Sequence, residues 1–231
     1  MSDAMLYTPS GCVLYLDLRK VYGDKVYDYS GHGNHGTIYG AKLNMELPCR
    51  GLEFDGEDDF VEVPHSDVIQ PTRQATIEAL IYPCGPGSHP SDGGMIVNKE
   101  NSYEVARTPE GEIKWAFMNN ETWNWVRTGY VVPLRTWSHV VVVYESADSI
   151  KTYGDGVLVH EGSFGSGDIK ASTYSLKVAA RELTATFFEG IITLVRIYNR
   201  ALSSDEVKKC FEDIQRRILR RIVAARDVSV R

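Results

Sequence analysis

No run of apolar residues in this 231-residue chain approaches the roughly twenty that a membrane-spanning helix needs. Met1 to Thr8 lack the basic start and apolar stretch of a secretory leader, so the chain is expected to be cytoplasmic at synthesis, or trimmed. Cysteine is scarce. Cys12, Cys49, Cys84 and Cys210 fall in four separate segments without C-x-x-C spacing, which argues against zinc and thioredoxin-like motifs and leaves one or two disulfides that sequence cannot pair. There is no G-x-S-x-G elbow, no Walker loop and no G-x-G-x-x-G fingerprint. Positive charge is in deficit, with 25 Lys and Arg against 31 Asp and Glu, so nucleic-acid binding by the body is not expected.

What is present is β-rich. Thirteen Tyr, 20 Gly and 9 Pro are spread along the chain between short Val/Ile runs, and 43% hydrophobic residues suffice for one substantial core. Alternating or apolar runs predict strands at residues 13–18, 52–54, 60–63, 75–82, 95–98, 102–107, 112–118, 123–131, 137–145, 149–153, 157–161, 176–180 and 188–198. Residues 19–36 and 84–94 read as loops rich in Gly, Asp, Ser and Asn or Pro. About a dozen short strands without long intervening helices imply an all-β, two-sheet antiparallel jelly-roll sandwich. Asp55-Gly56 and Asp155-Gly156 read as hairpin turns, and Trp137 as a core aromatic at a strand start.

The end of the chain differs. Ser203 and Ser204 can cap a helix with Asp205 and Glu206 in its first turn. Val207, Phe211, Ile214, Ile218, Ile222 and Ala225 then form one apolar stripe, with Arg216, Arg217, Arg220 and Arg221 on the other faces. Residues 206–231 hold eight basic and four acidic side chains, leaving 17 basic and 27 acidic in residues 1–205. The expected organisation is an N-terminal arm (1–9), a jelly roll (10–205) and an Arg-rich amphipathic helix (206–231).

Several phrases occur in a telling order: Asp28-Tyr29-Ser30-Gly31-His32-Gly33-Asn34-His35-Gly36-Thr37, Gly51-Leu52-Glu53-Phe54-Asp55-Gly56 through Val63-Pro64, Thr76-Ile77-Glu78 through Tyr82-Pro83, Trp137-Ser138-His139-Val140-Val141, Tyr153-Gly154-Asp155-Gly156, and Phe188-Glu189-Gly190-Ile191 on to Ala201-Leu202-Ser203. Together they resemble a laminin G-like domain of the concanavalin A-like lectin/glucanase superfamily over about residues 10–206. The resemblance implies the same jelly roll that the strand count predicts, and it implies no particular function.

Four chemistries follow for weighing. Glucanases of this superfamily carry Glu-x-Asp-x-x-Glu on one strand, whereas Glu53-Phe54-Asp55-Gly56-Glu57-Asp58 ends in Asp and is broken by a turn glycine, so no catalytic set is expected. Related domains hold calcium at a sandwich edge, and Asp28, Asn34, Asp55 and Asp58 supply hard oxygen ligands, with Asp59 nearby. Thr193 stands where the family's last strand has Asp, which removes one carboxylate. His32 and His35 lie in the same loop without a neighbouring Cys and read as turn residues rather than zinc ligands. Asn120-Glu121-Thr122-Trp123-Asn124-Trp125 offers aromatic faces and amides of the kind that hold sugars, so Trp123, Trp125, Asn120 and Asn124 are candidate ligand residues. Alternation puts both indoles on one face and Asn124 on the other; that face is either a ligand platform or core packing.

The helical stripe needs a partner surface, which could be its own sandwich, a second copy or another protein. Phe211, Ile214, Ile218, Ile222, Arg217 and Arg221 are the expected contact residues, with a homo-oligomer as one outcome. The reading is a non-catalytic lectin-like module for a carbohydrate or a protein surface. Its rivals are a structural virion or surface-assembly protein anchored by the helix, and a glycoside hydrolase.

Overall fold

A computed structural model of the chain describes residues 5–45, 50–146, 149–163 and 167–219. Its strands are β1 (Cys12–Tyr22), β2 (Lys25–Asp28), β3 (Gly36–Tyr39), β4 (Lys42–Asn44), β5 (Gly51–Asp55), β6 (Phe60–Val63), β7 (Gln74–Pro83), β8 (Gly94–Lys99), β9 (Tyr103–Arg107), β10 (Glu112–Asn119), β11 (Thr122–Val131), β12 (Ser138–Glu145), β13 (Ile150–Gly154), β14 (Val157–Gly162), β15 (Leu176–Val178) and β16 (Glu189–Tyr198). All ladders are antiparallel. The hydrogen-bonded order is β11-β10-β9-β8-β15-β6-β3-β2-β1-β16-β7-β12-β13-β14, with β5 also on β16 and β4 on β5.

The long strand β1 joins two sheets. Its start pairs with β16, from Cys12 opposite Tyr198 to Asp17 opposite Leu194, while Val21 and Tyr22 pair with β2. The first sheet is β11 to β2 and the second runs from β1 to β14. Their inner faces form the main core, with Val61, Val97, Val105, Trp115, Phe117 and Val126 from one and Ile77, Ala79, Val140, Val142, Val195 and Ile197 from the other. Each fully buried side chain of this size contributes about 1.5–3 kcal/mol.

The second sheet is buried on its outer face as well. Tyr15, Leu80 and Leu194 pack there against Leu6, Ile214 and Ile218, and Val141, Val143, Tyr153 and Tyr198 pack against Leu202 and Val207. This double burial explains why Val140 to Val143 is a continuous apolar run rather than an alternation. The cover is helix α1 (Ser204–Ile214), followed by a π turn at Gln215–Leu219. Ser203 caps it reciprocally: its hydroxyl accepts from the Glu206 amide, and the Glu206 carboxylate accepts from the Ser203 amide.

Of the three partner surfaces open to the stripe, the structure assigns Ile214 and Ile218 to the chain's own sandwich. They are therefore not free for a partner, which corrects the expectation for these two residues. Phe211 is half-buried, stacked 5.8 Å from the His139 ring. Arg216 and Arg217 both reach Asp213, and the Asp213 carboxylate also accepts from the Tyr7 amide at 2.8 Å, tying the N-terminal segment to the helix. Ile222, Arg221 and Ala225 lie outside the described residues.

A charged group sits under this cover. Glu78 accepts from Tyr198 Oη at 2.9 Å and lies 2.9 Å from His139 Nε2, while Arg196 Nη1 donates at 3.4 Å to both of its oxygens. Burial pushes the Glu78 carboxyl up, but Arg196, His139 and Tyr198 outweigh it and hold the group at about 2.

Three local expectations are corrected. Residues 19–36, read as loop, contain the rest of β1 and all of β2, because turns at Gly23 and at residues 29–35 separate short paired segments. Asp55-Gly56 is not a hairpin turn: β5 pairs with β16 and β4, and β6 with β3 and β15, so this turn carries the chain from one sheet to the other. Asp155-Gly156, at φ 50° and 77°, does close the β13–β14 hairpin. Trp137 lies outside the inter-sheet core, half-buried with the cluster beneath α1 and 5.2 Å from the Tyr82 ring.

Candidate functional site

The β10–β11 hairpin sets the position of the two tryptophans. Its turn residues Asn120 and Glu121 have φ 45° and 62°, the pair of left-handed conformations whose twist matches flanking strands. The register then places Trp123 opposite Met118 and Trp125 opposite Ala116, while Trp115, Phe117 and Val126 turn inward. Both indoles therefore stand on the outer face of the first sheet. Their ring centroids are 6.4 Å apart, and Trp125 is 36% exposed. The core-packing alternative is excluded for this pair.

From Trp125 a single row of side chains crosses the sheet. It passes through Ala116 on β10, Glu104 on β9, Asn98 on β8, Lys177 on β15, Glu62 on β6, Thr37 on β3 and Lys25 on β2, each residue paired with the next. Ala116 and, in the adjacent row, Ala106 are both fully buried beneath this group. Two connections rise over the face. Asp92, from the 84–93 loop, pairs with Lys114. Arg181, from the segment after β15, makes a forked pair with Glu100 at 3.0 and 3.2 Å and reaches Glu104 at 3.4 Å.

Those two cations also address the indoles, Lys114 at 4.5 Å from the Trp125 ring and Arg181 at 5.5 Å from Trp123. Glu104 is fully buried beneath. Its Oε2 accepts from Asn98 Nδ2 at 2.9 Å, and its Oε1 has no hydrogen-bond partner. Burial pushes its carboxyl up to about 7, against the pull of Arg181 and with a further push from Glu100.

The other sequence candidates are placed differently. Asn124 faces away from the indoles, and its amide donates to Asn119 Oδ1 at 2.7 Å and to the Thr122 carbonyl at 2.9 Å within the hairpin. Asn120 is at the exposed tip of the turn. Asn98, Glu104, Lys114, Lys177 and Arg181 were missed. For the four on strands the signal was a charged or amide side chain at alternate positions whose neighbours are apolar, as in Tyr103-Glu104-Val105, whereas Arg181, in the segment after β15, carried none.

Of the expected calcium ligands, Asp55 and Asp58 come together with Asp59, and Asp28 lies outside that group. Asp28 spends both oxygens inside its loop: Oδ1 accepts from the Tyr15 and Ser30 amides, and Oδ2 from the Ser30 hydroxyl and the Asn34 amide, all within 2.8–2.9 Å. Asn34 Nδ2 donates to the Val13 carbonyl. The carboxylates that do cluster are Asp55, Asp58 and Asp59, where Asp55 accepts from the Glu57 amide and Asp59 from the Asp55 amide. Thr193, in place of the family Asp, is buried and donates to the Arg50 carbonyl at 2.8 Å. The Asp28, Asn34 and Thr193 positions therefore do not fit a calcium ion.

A larger hollow, about 810 Å³, lies at the sandwich rim beside His32, Gln70, Arg73, Gln74 and Glu145. Its amides are engaged, Gln70 with Ser102, Lys170 and Ser172, and Gln74 with Glu145. Among the described residues that line it there is no Phe, Tyr or Trp, so the indole face is the better site.

The sequence profile of the concanavalin A-like lectin/glucanases superfamily (Laminin_G_3) matches residues 55–208, well over half of the chain. The chain belongs to this superfamily. Among solved structures, the superfamily fold recurs in the binding domain of Paraclostridial Mosquitocidal Protein 1, with TM-score 0.67 and 15% identity over 87% of this chain and 52% of that one. Botulinum neurotoxin type C, described as interacting with two ganglioside molecules, gives TM-score 0.68 and 16% identity, covering 89% of this chain and 52% of that one. Domain 4 of AbnA, an extracellular arabinanase from Geobacillus stearothermophilus, in complex with arabinotriose, gives TM-score 0.62 and 18% identity over 86% of this chain and 97% of that one. The chain thus spans about half the length of these two toxin chains. At these identities the likeness establishes the fold. A search of curated protein sequences finds no match.

Proposed function

We propose that this chain is a non-catalytic, lectin-like binding module that takes a carbohydrate on the outer face of its first sheet. The observation that carries the reading is the Trp123–Trp125 pair standing on the outer face of the first sheet, away from the core, with Trp125 36% exposed and the cations of Lys114 and Arg181 against the rings. Flat indoles cover the apolar faces of sugar rings, and polar neighbours address their hydroxyls. Relatives in fold are described with gangliosides and with arabinotriose, and another in complex with rat synaptotagmin II, so the choice of a carbohydrate over a protein surface rests on the indoles.

Catalysis is not part of the proposal. A glycosidase needs two carboxylates free to attack and to protonate, and Glu100 and Glu104 are both held by Arg181. The virion or surface-assembly reading loses its main support because Ile214 and Ile218, which were to form the anchor, are buried in the sandwich.

The test is a polysaccharide and glycan panel with the wild type, Trp123→Ala and Trp125→Ala, each checked for folding by its melting transition. Binding that either substitution removes is the expected result. Glycan binding that both variants retain, or a panel on which the folded wild type binds nothing, overturns the reading.

A further inference from the structure

Beside the far part of the row that starts at Trp125, two residues along from Glu62 and Thr37, stands a second aromatic group. Tyr39 on β3 pairs directly with Phe60 on β6, and their rings stack at 4.6 Å with 19° between planes. Lys177 Nζ lies over the Phe60 ring, 4.7 Å from its centroid, and Tyr39 is 44% exposed, so part of the stacked pair is open to solvent. Phe60 alternates with the core residues Val61 and Val63, which puts it on the same outer face as the indoles. A cleft of about 290 Å³ between Phe60, Lys177 and the 180–185 segment lies alongside.

From β11 to β6 and β3 there are five and six inter-strand steps; at about 4.8 Å each this is roughly 24–29 Å. One terminal sugar cannot touch both ends. Between them the row is polar and its cations are matched: Lys114 with Asp92, Arg181 with Glu100 and Glu104, and Lys177 with Glu182 at 3.0 Å. Glu62 adds a further carboxylate to the row. Apart from Lys25 at the β2 end, which donates to the Thr37 hydroxyl, the cations of this face are matched and offer little net attraction to an anionic chain, while the partly exposed Glu62, Asp92, Lys177, Arg181 and Glu182 can bond hydroxyls above the buried Asn98 and Glu104.

From these observations, and resting on the proposal that the indole face binds carbohydrate, we infer that the ligand is an uncharged polysaccharide. It is bound along its length, across the first sheet, with Trp123 and Trp125 at one end and Tyr39 on its Phe60 backing at the other. Internal recognition of a long chain and recognition of a chain end make different demands on this face. In the first, both aromatic platforms contribute to the same ligand; in the second, only one does.

The experiment is calorimetric titration of the full chain with neutral tri- and hexasaccharides of arabinan, xylan, mannan and β-glucan, and with oligogalacturonates as the anionic arm. The proteins are the wild type, Trp125→Ala, Tyr39→Ala and Tyr39→Phe. The expected pattern has a neutral hexasaccharide bound more tightly than its trisaccharide. Tyr39→Ala should weaken the hexasaccharide roughly three- to tenfold, the span of one lost aromatic contact, and leave the trisaccharide unchanged. Tyr39→Phe should retain the affinity, which separates the flat ring from any folding defect.

Hexasaccharide binding no tighter than trisaccharide binding, or tighter binding of oligogalacturonates, overturns this inference. If Trp125→Ala abolishes binding while Tyr39→Ala is neutral, the extended reading alone falls. If Trp125→Ala changes nothing, the indole site itself is wrong.

Discussion

Replacing Glu104 by Gln should make the protein more stable at neutral pH than the wild type, and the advantage should vanish in mild acid. Glu104 is fully buried with one oxygen lacking a partner, and its carboxyl is pushed from an ordinary 4.5 to about 7. The fold therefore favours the protonated acid. Below pH 4.5 the folded and unfolded chains both hold the proton and nothing is lost. Between pH 4.5 and 7 the unfolded chain gives up its proton while the folded one keeps it, so stability falls as pH rises; above 7 the whole cost is present. A move of this size is worth about 3 kcal/mol. Gln has the shape of the protonated acid and does not titrate. Between pH 5 and pH 8 the wild type should therefore lose about 2–3 kcal/mol relative to Glu104→Gln, roughly 1 M in urea midpoint. The assay is urea unfolding of both proteins at the two pH values. A difference between them that is the same at pH 5 and pH 8 refutes the account of Glu104 as an acid kept neutral by burial.

Other consequences concern the frame around the site. Ile214→Ala should cost about 2–5 kcal/mol in chemical unfolding, since the side chain is fully buried between α1 and the second sheet; a loss under 1 kcal/mol would mean that the helix is not part of the folded unit. The Cys210 thiol, buried and pushed up by that burial, should react slowly with iodoacetamide in the wild type and faster in Ile214→Ala, and equal rates would contradict the same packing. Asp28→Ala removes an acceptor of four hydrogen bonds and should cost about 3 kcal/mol or more. Chelator should not reproduce that loss in the wild type, whereas a matching drop in melting temperature on adding chelator would return Asp28 to a metal site. In acid, Glu78 acts in the opposite sense to Glu104. Its carboxyl is lowered to about 2, so the stability it confers is complete above pH 4.5 and drains away as pH falls towards 2, a decline that Glu78→Gln should flatten.

Local signals in the sequence carried local structure well. The Val140 to Val143 run marked a strand, and Ser203 or Ser204 with Glu206 marked the helix start to within one residue. Turn chemistry carried less: Asp55-Gly56 specifies a reversal, but which sheet the next strand joins depends on β6 finding β3 and β15, and no local residue encodes that choice. The amphipathic stripe of α1 required an apolar partner without saying whose. Only the outward Tyr15, Leu80 and Val141, scattered over more than a hundred positions, provide the answer.

The site was legible in the same uneven way. Trp123 and Trp125 could be put on one face by alternation, and the structure decides that the face is the outer one. The polar centre could not be read, because Arg181 meets Glu100 across 81 positions of sequence. The second platform depends on β3, which lies in a stretch whose short paired strands are too brief to show a period.

The most direct test of the account is the affinity of Trp125→Ala, set beside the wild type, for whichever glycan the wild type binds in the panel. Trp125 is partly exposed and stands on the outer face of the first sheet, so its removal should leave the melting temperature within a few degrees. The account predicts a folded variant whose glycan affinity falls by at least roughly tenfold, as expected for a central aromatic anchor. A folded variant that binds the same glycan as tightly as the wild type would contradict it.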